Sequence, residues 1–207
     1  MHLLNALATI VVTLLGATAP SALASDLHMG IIVYDNATTL DFIGPLQYFD
    51  FLQYFGTKVR MTTIAQSDGL LRSAPNGVPF HVTQSYKSLN DTKLDVLLIP
   101  GGTSTGAVVK GTDFMAFITA KARQADYVLS VCTGAYILAA TGLLDGKNAT
   151  TNKRAYGAIT PFSGIAAGID LGRAFVAHLH NETVADRITE VLEIIPNTDP
   201  SNDPFAV

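Results

Sequence analysis

The chain has 207 residues, 48% hydrophobic and only 14% charged, which excludes an intrinsically disordered protein and favours a compact domain with a sizeable core. The formal net charge is −4 and Lys and Arg form no cluster. Nucleic acid is therefore excluded as a partner, and a small-molecule substrate is expected instead.

Residues 1–24 have the layout of a secretory signal peptide. Leu3 to Thr18 is mostly apolar, Pro20 interrupts it, and small residues precede a cleavage site after Ala24. The prediction is secretion, with no stable membrane association after cleavage. A membrane anchor, or a cytoplasmic protein that starts at Met29, is the alternative. Four Asn-x-Ser/Thr triplets fit secretion: Asn36, Asn90, Asn148 and Asn181.

From Met29 onward, strand-like and helix-like segments alternate. The predicted strands are 29–35, 59–66, 94–102, 127–132 and a short one at 148–151. The predicted helices are 40–56, ending at Gly56, then 112–126, 133–141 and a long one at 174–195. Segment 69–86 is predicted to be a small hairpin or an irregular excursion around Pro75, Asn76 and Gly77. Residues 197–207 are predicted to be a polar tail after an α/β domain of residues 25–196.

This order predicts βαβ units, and hence a mainly parallel sheet covered by helices on both faces. In such folds the functional site lies beyond the carboxyl ends of the strands, where the strand order reverses. One face of the final helix is expected to be apolar, with Val184, Ile188, Val191, Leu192 and Ile195 on it.

The single cysteine, Cys132, ends the predicted strand "YVLSV" and is followed by Thr133, Gly134 and an Ala-rich helix. A strand–turn–helix of this kind is typical of a nucleophile elbow, which lifts a reactive side chain above the sheet edge. Unpaired N–H groups at a helix start favour thiolate over thiol. The alternative is a buried, inert cysteine that packs as a small hydrophobic residue.

Two further strand ends carry candidate site residues. Gly101 and Gly102 end the strand "DVLLIPGG", where their N–H groups could form an oxyanion pocket with that of Thr133. The alternative is an ordinary turn. Asp41 lies where the first helix begins, and is either an N-cap or an acid that shuttles a proton to the thiol.

The strings "LDFIGP", "DVLLIPGG", "SVCTGAYILAATGLLDGKNATTN" and "SGIAAGIDL" resemble, in that order, the ThiJ/PfpI superfamily of class I glutamine-amidotransferase-like proteins, and most of all its isonitrile hydratase branch and fungal members. The resemblance covers about residues 29–195. It implies a flavodoxin-like α/β sandwich and a homodimer. It also implies a Cys132 nucleophile, an Asp41 acid, and a pocket lined by Thr133, Gly101 and Gly102.

Two departures from the family pattern stand out. Many relatives have histidine where this chain has Asn152, and an amide cannot act as a general base. Asn152 is therefore only a pocket residue, and peptidase or amidotransferase activity is disfavoured. The segment between 152 and 163 is also shortened by roughly two dozen residues, the length of a loop and one or two strands. A gene-model error or a truncated pseudoenzyme would explain it.

The leading functional hypothesis is a cysteine-dependent hydratase or lyase of the isonitrile hydratase type, without a cofactor. Glyoxalase-type chemistry on small 2-oxoaldehydes uses the same residue pair and is one alternative. A non-catalytic redox-sensing or ligand-binding pseudoenzyme is another, since an accessible thiol beside a carboxylate is readily oxidised. His81, His178 and His180 lie outside the motifs and are expected to be surface or structural residues. No metal site is expected.

Overall fold

The computed structural model describes residues 11–14, 26–74, 77–82, 84–89, 91–146 and 167–198, with the backbone alone at 11–14 and 167. The predictions for Asn90, Asn148, Asn152, the turn at Pro75 and Asn76, the strand 148–151, the shortened segment 152–163 and the tail beyond 198 lie outside these residues.

Eight strands and six helices make up the described part of the chain. The strands are β1 (Val11–Leu14), β2 (Asp26–Ile32), β3 (Lys58–Ala65), β4 (Gly69–Arg72), β5 (Pro79–Val82), β6 (Gln84–Ser85), β7 (Val96–Ile99) and β8 (Tyr127–Ser130). The helices are α1 (Thr39–Phe51), α2 (Thr105–Lys110), α3 (Thr112–Gln124), α4 (Gly134–Ala140), α5 (Ala167–Leu179) and α6 (Glu182–Leu192). Short 3₁₀ helices follow α1, at Leu52–Phe55, and β6, at Tyr86–Leu89.

The main sheet has the strand order β1-β8-β7-β2-β3-β6. Its strands from β8 to β6 are parallel, which confirms the prediction of a mainly parallel sheet. β1 pairs antiparallel with β8 at one edge, so this short strand comes from the segment predicted as a signal peptide. Cleavage after Ala24 stays a prediction, and its occurrence would remove β1 from that edge.

The core is built on the central strands. All four residues of β7, Val96 to Ile99, are completely buried, and the four residues of β8 are buried as well. Each fully buried aliphatic side chain stabilises the fold by about 1.5–3 kcal/mol. The helices form two groups: α5 contacts both α1 and α6, while α2 contacts both α3 and α4.

Several sequence predictions are confirmed in outline. Gly56 ends the first helical segment with a left-handed φ of 90°, and β4 pairs antiparallel with β5 to form the expected hairpin. Asp113 lies in the first turn of α3, where a negative charge stabilises the helix.

The prediction of one helix over 174–195 is wrong. α5 ends at Leu179 and α6 begins after Asn181, because the extended backbone of Asn181 breaks the run and its side chain caps α6. The predicted apolar face changes accordingly. Ile188 is buried, but Val191 is 63% exposed and Ile195 is fully exposed.

Candidate functional site

Three neighbouring parallel strands end at the candidate site. The chain leaves β2 towards β3 on one side of the sheet and later fills β7 and β8 on the other, so the strand order reverses between β2 and β7. Loops that follow strands on opposite sides of such a reversal leave a crevice between them. The residues after β2, β7 and β8 meet at this point, as the sequence predicted.

The loops after β2 and β7 are joined by backbone hydrogen bonds. Thr38 donates its N–H to the carbonyl of Gly101 at 2.9 Å, and Thr103 donates to the carbonyl of Asn36 at 3.1 Å. Ala37 and Gly102 form an isolated bridge between these bonds. The pairing fixes the start of α1, and therefore Asp41, against the glycine pair.

Cys132 lies between the end of β8 and the start of α4, in a backbone conformation unusual for a residue with a side chain. Its φ is 55°, in the left-handed region, which costs an L-residue about 1–2 kcal/mol. Two residues later, Gly134 packs closely against the end of β7. Only glycine fits there, since an added Cβ would clash with the carbonyl of Ile99. Strain of this kind persists where the surrounding structure enforces it, often at functional sites.

Asp41 is completely buried beside Cys132. The N–H of Gly101 donates to its Oδ2 at 3.0 Å, and the Cys132 side chain is hydrogen-bonded to the same carboxyl group. Within the described part of the chain, Oδ1 has no hydrogen-bond partner. Asp41 is not an N-cap: Thr38 holds that position, and the carboxyl accepts from Gly101 rather than from α1.

Burial raises the pKa of Asp41 to about 7, because removal from water disfavours the charged carboxylate. The hydrogen bonds from Gly101 and Cys132 act in the opposite direction and only partly offset this effect. At neutral pH the carboxyl group therefore exchanges a proton readily. A group with this property next to a thiol can act as a general acid and base.

Gly101 is required by close packing at the site. An added Cβ would come within 2.6 Å of the Thr133 nitrogen and 2.8 Å of Asp41 Oδ2. Any larger residue would therefore separate the Asp41 carboxyl from the turn that carries Cys132.

The expected oxyanion pocket needs a correction in detail. The Gly101 N–H is engaged by Asp41, and the Gly102 N–H donates to Thr133 Oγ1 at 2.9 Å. The Thr133 hydroxyl in turn donates to the Gly102 carbonyl at 3.1 Å. Both glycine amides thus already have partners, while the Thr133 N–H donates no hydrogen bond to the described residues.

Tyr34, which the sequence does not mark as a functional residue, lies two residues beyond β2. Its hydroxyl donates to the carbonyl of Pro100 at 2.8 Å, and its ring is buried. Burial, followed by the neighbouring charges of Asp41 and Cys132, holds the pKa of Tyr34 well above its usual 10. In the sequence it ends an apolar strand and looks like an ordinary core residue.

The histidines outside the motifs lie away from this site. His81 is exposed on β5, His178 packs against the ring of Tyr127, and His180 contacts Thr57 Oγ1 at 3.2 Å. Among the described residues no group of three His, Cys, Asp or Glu side chains could hold a metal ion. No helix in the described part of the chain is long and apolar enough to cross a membrane.

A parallel sheet whose site lies at the reversal of strand order defines a flavodoxin-like α/β protein. Within that class, the model of the DJ-1/PfpI family matches residues 29–169, about two thirds of the chain. The chain belongs to the DJ-1/PfpI family.

Two curated proteins illustrate the range of sequence relatives. Isonitrile hydratase of Pseudomonas putida is 29% identical over 189 residues, covering 82% of this chain and 79% of that protein. The PurQ subunit of phosphoribosylformylglycinamidine synthase of Methanothermobacter thermautotrophicus is 33% identical over 131 residues, covering 56% of this chain and 59% of that protein.

Solved structures confirm the fold. A THiJ/PfpI family protein from Pseudomonas syringae superposes with a TM-score of 0.73 at 26% identity, covering 87% of this chain and 79% of its own. Oxidised DJ-1 of Toxoplasma gondii superposes with a TM-score of 0.66 at 16% identity, covering 81% and 98% respectively.

Proposed function

We propose that the chain is a cysteine-dependent hydratase that converts a small isonitrile into an N-substituted formamide without a cofactor. The observation that carries the proposal is the buried Asp41 carboxyl, with a pKa of about 7, hydrogen-bonded to the strained Cys132. The relative named isonitrile hydratase supports the choice of substrate class.

The reaction needs one proton shared by Cys132 and Asp41. The Cys132 sulfur adds to the terminal carbon of the isonitrile while the carboxylic acid of Asp41 protonates that carbon, giving a thioimidate. Water then adds its oxygen to this carbon, while the Asp41 carboxylate accepts one proton from the water and passes it to the nitrogen. Cleavage of the C–S bond releases the formamide and the Cys132 thiolate, and Asp41 takes up the proton of the added hydroxyl group. The shared proton is thereby restored, and the net change is the addition of one water molecule.

The site geometry supports this sequence in two ways. The Asp41 Oδ1 atom is buried without a hydrogen-bond partner among the described residues, so a proton on it is held by no competing acceptor. The Thr133 N–H donates no bond within the described part of the chain, so it can stabilise negative charge that develops on the substrate.

The test compares the purified wild-type protein with Cys132→Ser, offering each an aryl isocyanide and, separately, methylglyoxal. We expect the wild-type protein to produce the formamide. In Cys132→Ser the rate should fall by at least about 100-fold, because a hydroxyl is a far weaker nucleophile than a thiolate. Tyr48→Phe, which removes a buried hydroxyl bonded to Thr189, is a matched control that should keep activity.

Three results would contradict the hydratase proposal. Cysteine-dependent consumption of methylglyoxal alone would favour a glyoxalase. Isonitrile turnover that survives in Cys132→Ser would remove the cysteine from the mechanism. The third result is a folded wild-type protein that consumes neither substrate but is oxidised at Cys132 in a stoichiometric titration with peroxide, as measured by intact mass. This result would favour a redox sensor.

A further inference from the structure

Tyr34 and Asp41 contact the two ends of a single peptide group. The hydroxyl of Tyr34 donates to the Pro100 carbonyl at 2.8 Å, and the N–H of the same peptide, which belongs to Gly101, donates to Asp41 Oδ2 at 3.0 Å. A peptide group is planar and conjugated, so a hydrogen bond accepted by its oxygen makes its N–H a stronger donor. The two bonds therefore reinforce each other.

This peptide group is held in place from several directions. The carbonyl of the next peptide group, that of Gly101, accepts the N–H of Thr38, and the space around the Gly101 Cα is filled by Thr133 and Asp41. The Tyr34 ring is itself buried at 6% exposure. Its hydroxyl stays protonated across the physiological range because the pKa of Tyr34 is raised, and it is therefore a permanent donor.

We propose that Tyr34 is a positioning residue that acts through the Pro100–Gly101 peptide to stabilise the carboxylate form of Asp41, and thereby sets how the proton is shared between Asp41 and Cys132. The proposal deepens the proposed function, because it concerns the pair on which that function rests. Tyr34 is not a catalytic residue in this account, since its hydroxyl bonds to the backbone.

Among the residues that the structure describes, few other groups face the Asp41 carboxyl. From the turn before α4 it meets Cys132, from the loop after β7 the Gly101 N–H, and Tyr34 interacts with it electrostatically. α5 brings the backbone of Gly168 against the Cα of Asp41, while its charged residues Asp170 and Arg173 interact with Tyr48 instead. A change in the Tyr34 hydroxyl should therefore be visible at Asp41.

The test measures the carboxyl carbon of Asp41 by NMR on the full chain labelled with [4-¹³C]aspartate, with Asp41→Asn used to identify the signal. In Tyr34→Phe we expect the pKa of Asp41 to rise by about 0.5 pH unit, the size expected when a hydrogen bond loses about 10–30% of its strength. Tyr48→Phe is the control. It removes a buried hydroxyl on α1 that bonds to Thr189 and not to the Pro100 carbonyl, and it should leave the titration of Asp41 unchanged.

Two results would overturn the proposal. The pKa of Asp41 could be unchanged or lowered in Tyr34→Phe, or it could shift by the same amount in Tyr48→Phe. A second measurement, on the wild-type protein, tests whether the Gly101 N–H is coupled to Asp41, as the proposal requires. The NMR signal of the Gly101 amide should shift with pH at the same midpoint as the Asp41 carboxyl signal. Different midpoints would overturn the proposal. Neither readout uses a substrate. An Asp41 shift without isonitrile turnover would thus retain the role of Tyr34 and reject only the hydratase.

Discussion

At the scale of single residues, Asp41 opposes folding at neutral pH. Its pKa is about 7 in the folded protein and about 3.9 in an unfolded chain, so between these values the unfolded chain releases a proton that the folded protein keeps. The burial of Asp41 therefore costs no stability through ionisation at low pH. This cost appears above the unfolded pKa and lowers the free energy of unfolding as the pH rises towards 7. Asp41→Asn cannot lose a proton and should escape this decline.

We expect the free energy of unfolding of Asp41→Asn, relative to wild type, to increase by about 2–3 kcal/mol between pH 5 and pH 8. Urea unfolding at the two pH values measures the difference. Asp68→Asn is the matched control, because it makes the same chemical change at an exposed carboxyl group outside the core. An advantage of Asp41→Asn that is constant with pH would show that packing, not ionisation, is responsible.

The sequence was informative about which residues form the site and much less about how they are bonded. Cys132, Asp41 and Gly101 each follow a predicted strand, and parallel strands bring their carboxyl ends to one edge. The hydrogen bonds that occupy the Gly101 and Gly102 amides depend on side-chain positions across loops far apart in sequence. Tyr34 gave no signal because its function depends on a backbone carbonyl 66 residues away.

At the scale of elements, Asn181 separates α5 from α6. Its Oδ1 accepts the N–H of Val184 at 3.0 Å, which satisfies one of the amide groups left unpaired at a helix start. Asn181→Ala removes this acceptor and should lower the free energy of unfolding by about 1 kcal/mol. Urea unfolding of protein made in a bacterial host, without glycans, measures the effect.

Two variants isolate the cap. Asn181→Asp keeps a side-chain oxygen in place and should stay within a few tenths of a kcal/mol of wild type. Thr183→Ala destroys the glycosylation triplet but leaves the cap, and should be equally mild. A loss in Thr183→Ala as large as that in Asn181→Ala would mean that the first turn of α6, and not the cap, is sensitive.

Helices and strands could be predicted from the sequence where a local hydrophobic pattern defines them. They could not be predicted where strand pairing sets their bounds or where helix propensity is low. β7 and β8 are short apolar runs and were found, because strands buried on both faces have no alternation. β2 begins at Asp26, earlier than predicted, since its first residues pair with β3 at Lys58. α2 was missed because its glycine and adjacent valines have low helix propensity, and its packing against α4 compensates.

At the scale of the whole molecule, the order of strands decides where the site lies, and this order is a long-range property. Alternation of strands and helices predicts a parallel sheet but leaves several orders open. The observed order places β2 and β7 side by side, which joins Asp41 to Gly101 across 60 residues of sequence. Family resemblance, more than periodicity, made this arrangement foreseeable.

Oligomeric state belongs to the same scale, and we propose that the chain forms a homodimer, as the family resemblance implies. Two apolar residues on α1, Leu40 at 38% and Ile43 at 45% exposure, flank the buried Asp41 and Phe42. Exposed apolar side chains gain stability when a partner covers them.

Ile43→Lys should therefore shift the protein from dimer to monomer, because a dimer would have to bury the introduced ammonium group without a partner. Size-exclusion chromatography with light scattering over a range of protein concentrations measures the mass. Val191→Lys, at a more exposed apolar position on α6, should remain dimeric. A wild-type protein that is monomeric at every concentration would reject the homodimer. Dissociation by Val191→Lys but not by Ile43→Lys would move the interface from α1 to α6.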